Sequence, residues 1–395
     1  MAAPARLTPR DLNRATLARQ GLLEPYALPA GAAVAHAGSL QAQHPEWPPI
    51  ALAARAATPA TADLAGALTR RDVVRSSLMR ITIHVVAADD LWPMFTVCQP
   101  MRLAQWSLLT RVDPHTSELG SRLAAARDGM VAALRDGPLT SLEIDRMLAA
   151  EIGLDARAHT RPGWREPETA VPIRVAWRHF AAHVPLVHVP HDGEGYGRSR
   201  YAVAEHWLGS RPDPMDIGAA RRHVARRYLA AFGPATVDDL VHYVGRGRGG
   251  VTPWRAAVEE LGEDAVILPG ADGQSYHDLR DAPRPGPDAP APPRLLARWD
   301  SLLLSHAAKR RARVIAERHR PLVYSRNADV LPTFLVDGTV AGTWELVRGD
   351  TAVRIRLRPF DRLGRGMERE LAGGAERVLG IVARDIRDRD VELVR

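Results

Sequence analysis

Residues 219–244 read AARRHVARRYLAAFGPATVDDLVHYV. Their apolar spacing predicts a helix over 219–232, broken by Gly233-Pro234 and followed by a second helix from Thr236 to Val244. After the loop GRGRGG (245–250), Thr252-Pro253 opens a third helix, Trp254 to Leu261, in the position of a recognition helix. Two strand-like runs, Val266–Leu268 and Ser275–Leu279, then flank the turn PGADGQ. Helix, helix, helix and hairpin in that order is the grammar of a winged-helix unit.

Upstream the same order recurs. A helix over 121–134 precedes Gly137-Pro138, Thr140 to Glu143 carries an N-cap signature, and Arg174–Ala182 supplies the third helix. Leu186–Val189 and Arg200–Ala204 flank the glycine-rich tip HDGEGYGRS. One Gly-Pro means little, but two in matched contexts indicate a repeat. The N-terminal segment gives a third copy. Thr8-Pro9 starts a helix with apolar residues at Leu12, Ala15, Ala18 and Leu22. A second helix is expected over Ala32–Gln43, stopped by Pro45 and Pro48-Pro49, with others over Ile50–Ala57 and from Thr61. Leu78–Val86, LMRITIHVV, alternates and is expected as one strand.

Residues 281–293, DAPRPGPDAPAPP, read as a proline-rich linker. Beyond them, PTFLVDGTVAGTW (332–344) is a hairpin around Asp337-Gly338, Thr351–Leu357 a further strand, and Met367–Ala383 a closing helix. The expected fold is therefore α+β and mostly α. It comprises winged-helix domains over 1–115, 116–208 and 209–280, the linker 281–293, and a small β-barrel-like domain over 294–395.

The 395 residues carry a formal charge of +7, which suits a polyanionic partner. Lys309 is the only lysine, and Cys98, the single cysteine, rules out intrachain disulfides and cysteine zinc clusters. His183, His188 and His191 lack helical i, i+4 spacing, so neither a metal nor a cofactor is expected. No apolar run is long enough to span a bilayer, and the N-terminus has no apolar signal core. A cytoplasmic, nucleoid-associated protein is expected, as a monomer. GRGRGG lacks the lysine of a phosphate loop, and no G-x-S-x-G occurs.

The stretches SLQAQHP (39–45), SLMRITIHVV (77–86), FGPATVDDL (232–240), RWDSLLLSH (298–306) and LVDGTVAGTW (335–344) resemble the AlkZ-like bacterial DNA glycosylases, in order and across nearly the whole chain. The resemblance implies a C-shaped scaffold of three winged helices with a C-terminal β-barrel. It also implies excision of alkylated bases, including adducts of intercalating antibiotics and, in one branch, crosslinks. The family's Gln-x-Gln motif falls on Gln41-Ala42-Gln43, which the resemblance makes catalytic.

The chemistry is coherent. Alkylation at purine N7 or N3 makes the base a cationic leaving group, so no strong general acid is needed. What remains is to place a water at C1′ and stabilise an oxocarbenium sugar. A glutamine amide offers an acceptor and a donor for that task but is no general base. Two residues apart, Gln41 and Gln43 share a face on a strand, but on a helix only if it ends there. Glu46 is a rival carboxylate just beyond them. On a strand, Arg80, Thr82 and His84 would share one face, where Arg80 and His84 could meet phosphates. Arg198 and Arg200 beside one hairpin tip, and Arg246 and Arg248 in GRGRGG, are further candidates for DNA contact.

Trp47, Trp106, Trp207 and Trp254 could stack on a base, although packing is the simpler role; Trp299 and Trp344 read as core. With no aromatic cage near Gln41, the adduct is expected to be read in the minor groove without full extrusion. A lyase step needs an amine for a Schiff base, and Lys309 is remote in sequence from Gln41, so base excision without strand cleavage is expected. The partner is double-stranded DNA bearing alkylated bases. The alternative is a non-catalytic tandem winged-helix transcription regulator, or a protein that sequesters an antibiotic adduct.

Overall fold

A computed structural model describes residues 6–58, 63–110, 118–151, 173–191, 195–245, 250–325, 328–349, 351–383 and 386–394. The chain begins with α1 (Pro9–Arg19), α2 (Ala30–Ala37), β1 (Leu40–Gln41), α3 (Trp47–Ala53), α4 (Leu64–Thr69), β2 (Val73–Ser77) and β3 (Ile83–Ala87). Next come α5 (Leu91–Thr110), α6 (Glu118–Asp136), α7 (Ser141–Glu151), α8 (Ile173–His183), β4 (Leu186–His191), β5 (Gly195–Val203) and α9 (Ala204–Leu208). The third stretch holds α10 (Ile217–Phe232), α11 (Val237–Val244), α12 (Thr252–Glu259), β6 (Ala265–Pro269) and β7 (Ser275–Leu279). The last holds β8 (Arg294–Leu296), α13 (Ser301–Leu304), α14 (Arg320–Val323), β9 (Thr333–Val336), β10 (Thr339–Arg348), β11 (Ala352–Pro359), α15 (Arg365–Val382) and β12 (Asp388–Leu393).

The caps read from the sequence are built as capping boxes: Thr8 with Asp11, Thr140 with Glu143 and Thr236 with Asp239. Three local expectations are corrected. The helix expected to reach Gln43 stops at Ala37, because Gly38 turns at φ 80 and a Cβ there would sit 2.9 Å from the Ala231 methyl. The helix expected over Ile50–Ala57 runs from Trp47 to Ala53 and takes Pro48 and Pro49 into its first turn, which needs no N–H donors. The single strand expected over Leu78–Val86 is the second half of a hairpin. Arg80 (φ 53) and Ile81 (φ 57) turn the chain between β2 and β3. Neither residue type announces such a turn; Leu78 N–H donates to Thr82 O and the Arg80 guanidinium donates to the Tyr243 carbonyl.

The hairpins β2–β3 and β4–β5 do not stand apart as two wings. They join through β2 and β4 into one five-stranded sheet, ordered β1-β3-β2-β4-β5, while β6–β7 forms its own two-stranded sheet. At the C-terminus the order is β12-β11-β10-β9-β8, antiparallel except for the parallel pair β11–β12. That sheet is open at β8 and β12, so no closed barrel forms. The reason is visible in the packing. Leu371, Ala375, Val378 and Leu379 of α15 share one core with Ile355 and Leu357 of the sheet and with Ile50 of α3. A helix covers the apolar face that a barrel would have turned inward.

A second core lies under β2–β5 against α5 and α10–α12, and a third under α6, α7 and α8. A fourth joins Leu17 and Leu22 near α1 to Leu302, Ile315 and Leu335. The proline-rich segment is strapped to α1: Arg10, Arg14 and Arg19 donate to the carbonyls of Pro287, Ala289 and Pro283. Among the described residues, no helix is long and apolar enough to cross a membrane.

Candidate active site

The Gln-x-Gln segment is extended rather than helical. Gln41 pairs with His84 across β1–β3, the Ala42 N–H donates 2.8 Å to Ile83 O, and the Ala42 carbonyl accepts from Arg75. Ser39 anchors the approach to this segment, sharing a 2.8 Å hydrogen bond with the Tyr243 hydroxyl and accepting 2.7 Å from Ser301 at its carbonyl. The segment is thus held by β3, by α11 and by the start of α13.

Gln43 is exposed, and its Oε1 accepts from the Ile83 N–H at 3.3 Å. It lines a cleft of about 370 Å³ whose other walls include Ser76, Ser77, Arg80, Arg102, Gln105, Trp177, Arg178, His188 and Tyr201. Gln41 is not among the lining residues. It lies buried at 9 % exposure, and its Oε1 has no hydrogen-bond partner among the described residues. Alternation alone would give both glutamines one outlook; the chain leaves the strand after Gln41 and only Gln43 reaches the cleft.

Among the described residues, no carboxylate lines this cleft. Burial depresses His188 to about 3, with Arg75 adding to the effect, so the imidazole is neutral and a poor base near neutral pH. His84, behind the turn, is likewise pushed down to about 3 by burial and then by Arg80. Its Nε2 lies 3.3 Å from the Arg80 guanidinium and its Nδ1 3.0 Å from the Thr82 carbonyl. The cleft offers amides, hydroxyls and guanidinium groups. It can orient water and stabilise anionic groups, but among the described residues it has no acid–base pair tuned to neutral pH.

A family model described as DNA glycosylase AlkZ-like matches residues 34–381. The chain belongs to the AlkZ-like DNA glycosylase family. It is 24 % identical over 288 residues to an interstrand DNA cross-link repair glycosylase of Streptomyces sahachiroi, covering 71 % of this chain and 72 % of that protein. The solved structure of the Streptomyces sahachiroi DNA glycosylase AlkZ superposes with a TM-score of 0.75 at 19 % identity, covering 99 % of this chain and 100 % of that one, so the two share a fold. The regulator alternative gives way to a DNA glycosylase, with DNA as its partner.

In this AlkZ-like chain the remaining sequence candidates scatter. Arg80 and His84 meet each other, but at the hairpin turn and not as neighbours on one strand face. His84 is 1 % exposed and braces Arg80 from within. Thr82 turns inward, its hydroxyl donating to the Met79 carbonyl. Glu46 lies at the start of α3 and lines a different cleft, with Trp47, Arg298 and Trp344. Arg200 donates weakly, at 3.4 Å, to the Pro138 carbonyl and does not line the Gln43 cleft. The Arg198 side chain, the Trp106 side chain, and Arg246 and Arg248 lie outside the described residues. Gly245, which precedes the latter pair, is within reach of the turn: a Cβ there would stand 3.3 Å from the Arg80 Cα.

Trp254 is buried, Trp47 packs edge-on against Trp344, and Arg71 lies over Trp207. Trp299, expected in the core, is half-buried beneath His44, with ring centroids 5.3 Å apart. Sequence reading missed Arg102, Gln105, Trp177, Arg178, His188 and Tyr201, because these come from α5, α8, β4 and β5. The one available signal was the pairing of a second hairpin beside the first, which the sequence leaves open.

Proposed function

We propose that the protein is a monofunctional DNA glycosylase. It hydrolyses the N-glycosidic bond of cationic, bulky alkylated purines, N7-guanine or N3-adenine adducts, including those of DNA-alkylating antibiotics. The observation that carries this reading is the Gln43 amide, steadied by the Ile83 N–H, at a cleft lined by guanidinium groups and, among the described residues, by no carboxylate. A site without a competent general base suits a substrate whose leaving group is already positively charged.

Gln43 holds the attacking water through its amide, and Gln41 beneath it supplies the second amide that sets its orientation. The cationic wall keeps the sugar-phosphate in place while the oxocarbenium character develops. Glu46 takes no part. The winged-helix segments carry duplex DNA across the site, the first two through their shared sheet, with Arg198, Arg200, Arg246 and Arg248 as further contacts. The cross-link repair activity of the Streptomyces sahachiroi relative extends the reading to interstrand crosslinks, unhooked one glycosidic bond at a time. The absence of strand cleavage rests on the lone lysine, since Lys309 pairs with Asp238 at 3.2 Å and does not line the cleft.

The test is base release from duplex DNA carrying a 7-alkylguanine or a bulky antibiotic adduct. Excision by the wild type, lost in Gln41→Ala and Gln43→Ala, is expected, with strand breaks only after alkali. Salt-sensitive DNA binding with no release from any alkylated substrate would overturn the assignment of substrate and mechanism.

A further inference from the structure

The floor of the Gln43 cleft holds the buried guanidinium of Arg102 and the part-buried one of Arg80, neither neutralised by a carboxylate among the described residues. Arg102 of α5 is 6 % exposed. Its Nη1 donates 2.8 Å to the Ala181 carbonyl of α8, and its Nη2 donates to the carbonyl and hydroxyl of Ser77 at the end of β2. Its Nε–H is buried without an acceptor among the described residues. Arg80 is held by the Tyr243 carbonyl and His84, over the Tyr243 ring. Neither arginine makes an ion pair among the described residues, whereas Arg19, Arg55 and Arg310, about as buried as Arg102, are each matched by an aspartate.

The contrast is informative. Burying a cation without a counter-ion is costly, and this chain gives Arg19, Arg55 and Arg310 an aspartate within 3 Å, though Arg313, buried away from the cleft, rests on the Pro234 carbonyl and His306 with no ion pair among the described residues. At the cleft it instead surrounds the guanidinium groups with carbonyl dipoles, which position them without cancelling their charge. Burial pulls both arginines below their ordinary range, a cost that a bound anion would relieve. Arg178, exposed at the rim of the same cleft, adds a third cation at its mouth.

We propose that Arg102, together with Arg80 and the rim residue Arg178, forms a recessed anion site that receives one phosphodiester group of the DNA strand beside the lesion nucleotide. This rests on the glycosylase reading above and deepens it. Drawing a phosphate into the floor fixes the register of the sugar relative to Gln43, which lines the same cleft. Arg102 then acts as a binding residue whose contact is specific to one phosphate, unlike exposed arginines, whose attraction is spread along the backbone.

The experiment is a scan in which each phosphate within three nucleotides of the lesion is replaced, one at a time, by a neutral methylphosphonate. Equilibrium binding to the full-length protein is measured separately from excision. One position is expected to weaken wild-type binding about 10- to 100-fold, as loss of a charge-assisted contact does, with smaller effects elsewhere. Arg102→Gln should bind the normal duplex correspondingly more weakly and lose sensitivity at that position alone, so the two losses do not multiply. Arg102→Lys should restore part of the sensitivity. A flat scan in the wild type, or losses that multiply in Arg102→Gln, would overturn the proposal. Because the wild-type scan needs no variant, misfolding of Arg102→Gln cannot hide the result. Binding that shows the single-phosphate signature without any excision would sink the glycosylase mechanism and leave the anion site standing.

Discussion

Replacing Gln41 by leucine separates function from stability at the Gln-x-Gln segment. Gln41 is 9 % exposed and its Oε1 has no hydrogen-bond partner among the described residues. A buried, unsatisfied acceptor costs about 1–3 kcal/mol, and removing it with an apolar side chain of similar size recovers part of that cost. Leucine is also compatible with a strand residue flanked by Leu40 and Ala42, both buried. The loss of one positioning amide in a reaction driven by preorganised dipoles is worth about 100- to 1000-fold in rate. Gln41→Leu should therefore be at least as stable as the wild type, by about 0–1 kcal/mol, while single-turnover base release falls by two to three orders of magnitude. Urea denaturation and excision of a 7-alkylguanine would be measured on the same preparation. A variant destabilised by more than about 1 kcal/mol that still excises normally would refute the argument, because the amide would then be a structural group.

Three further predictions follow from other parts of the molecule. Lys309→Ala should leave both base release and the need for alkali unchanged, since its ammonium only pairs with exposed Asp238; a drop in strand scission on removing it would show a lyase step. His84 and His188 have folded pKa values near 3, below their unfolded value of about 6.5, so the unfolded chain binds more protons between those limits. Stability should therefore be flat above about pH 6.5 and fall as the pH is lowered below it, and urea midpoints at pH 5, 6, 7 and 8 that fail to decline on the acid side would contradict this. Arg55 and Asp300 form a doubly hydrogen-bonded pair with both side chains 0 % exposed, so Arg55→Leu should destabilise by about 3–5 kcal/mol by leaving Asp300 buried without its counter-ion. Near-wild-type thermal unfolding of that variant would show that Asp300 finds other partners.

Much of the local structure was legible because its causes are local. The boxes at Thr8, Thr140 and Thr236 need only residues three apart, and the Asp337-Gly338 turn needs only two adjacent residues able to adopt positive φ, here 48 and 76. The hairpin turn at Arg80-Ile81 was missed because its residues are not turn formers. It is held from outside, by the Tyr243 carbonyl on α11. Gln41 and Gln43 were legible as a motif, but not their different outlooks, which follow from the point where β1 leaves β3.

The sequence by itself determined the mixed α+β character, the family and the excess of arginine over lysine, since each depends on residue type and short spacing. Only the tertiary structure decided that two hairpins fuse into one sheet, that the C-terminal sheet stays open, and that Arg102 and His188 share a cleft with Gln43. Those outcomes depend on contacts between segments far apart in the chain. Which apolar faces meet is fixed by the best joint burial of all of them, and no single stretch carries that information.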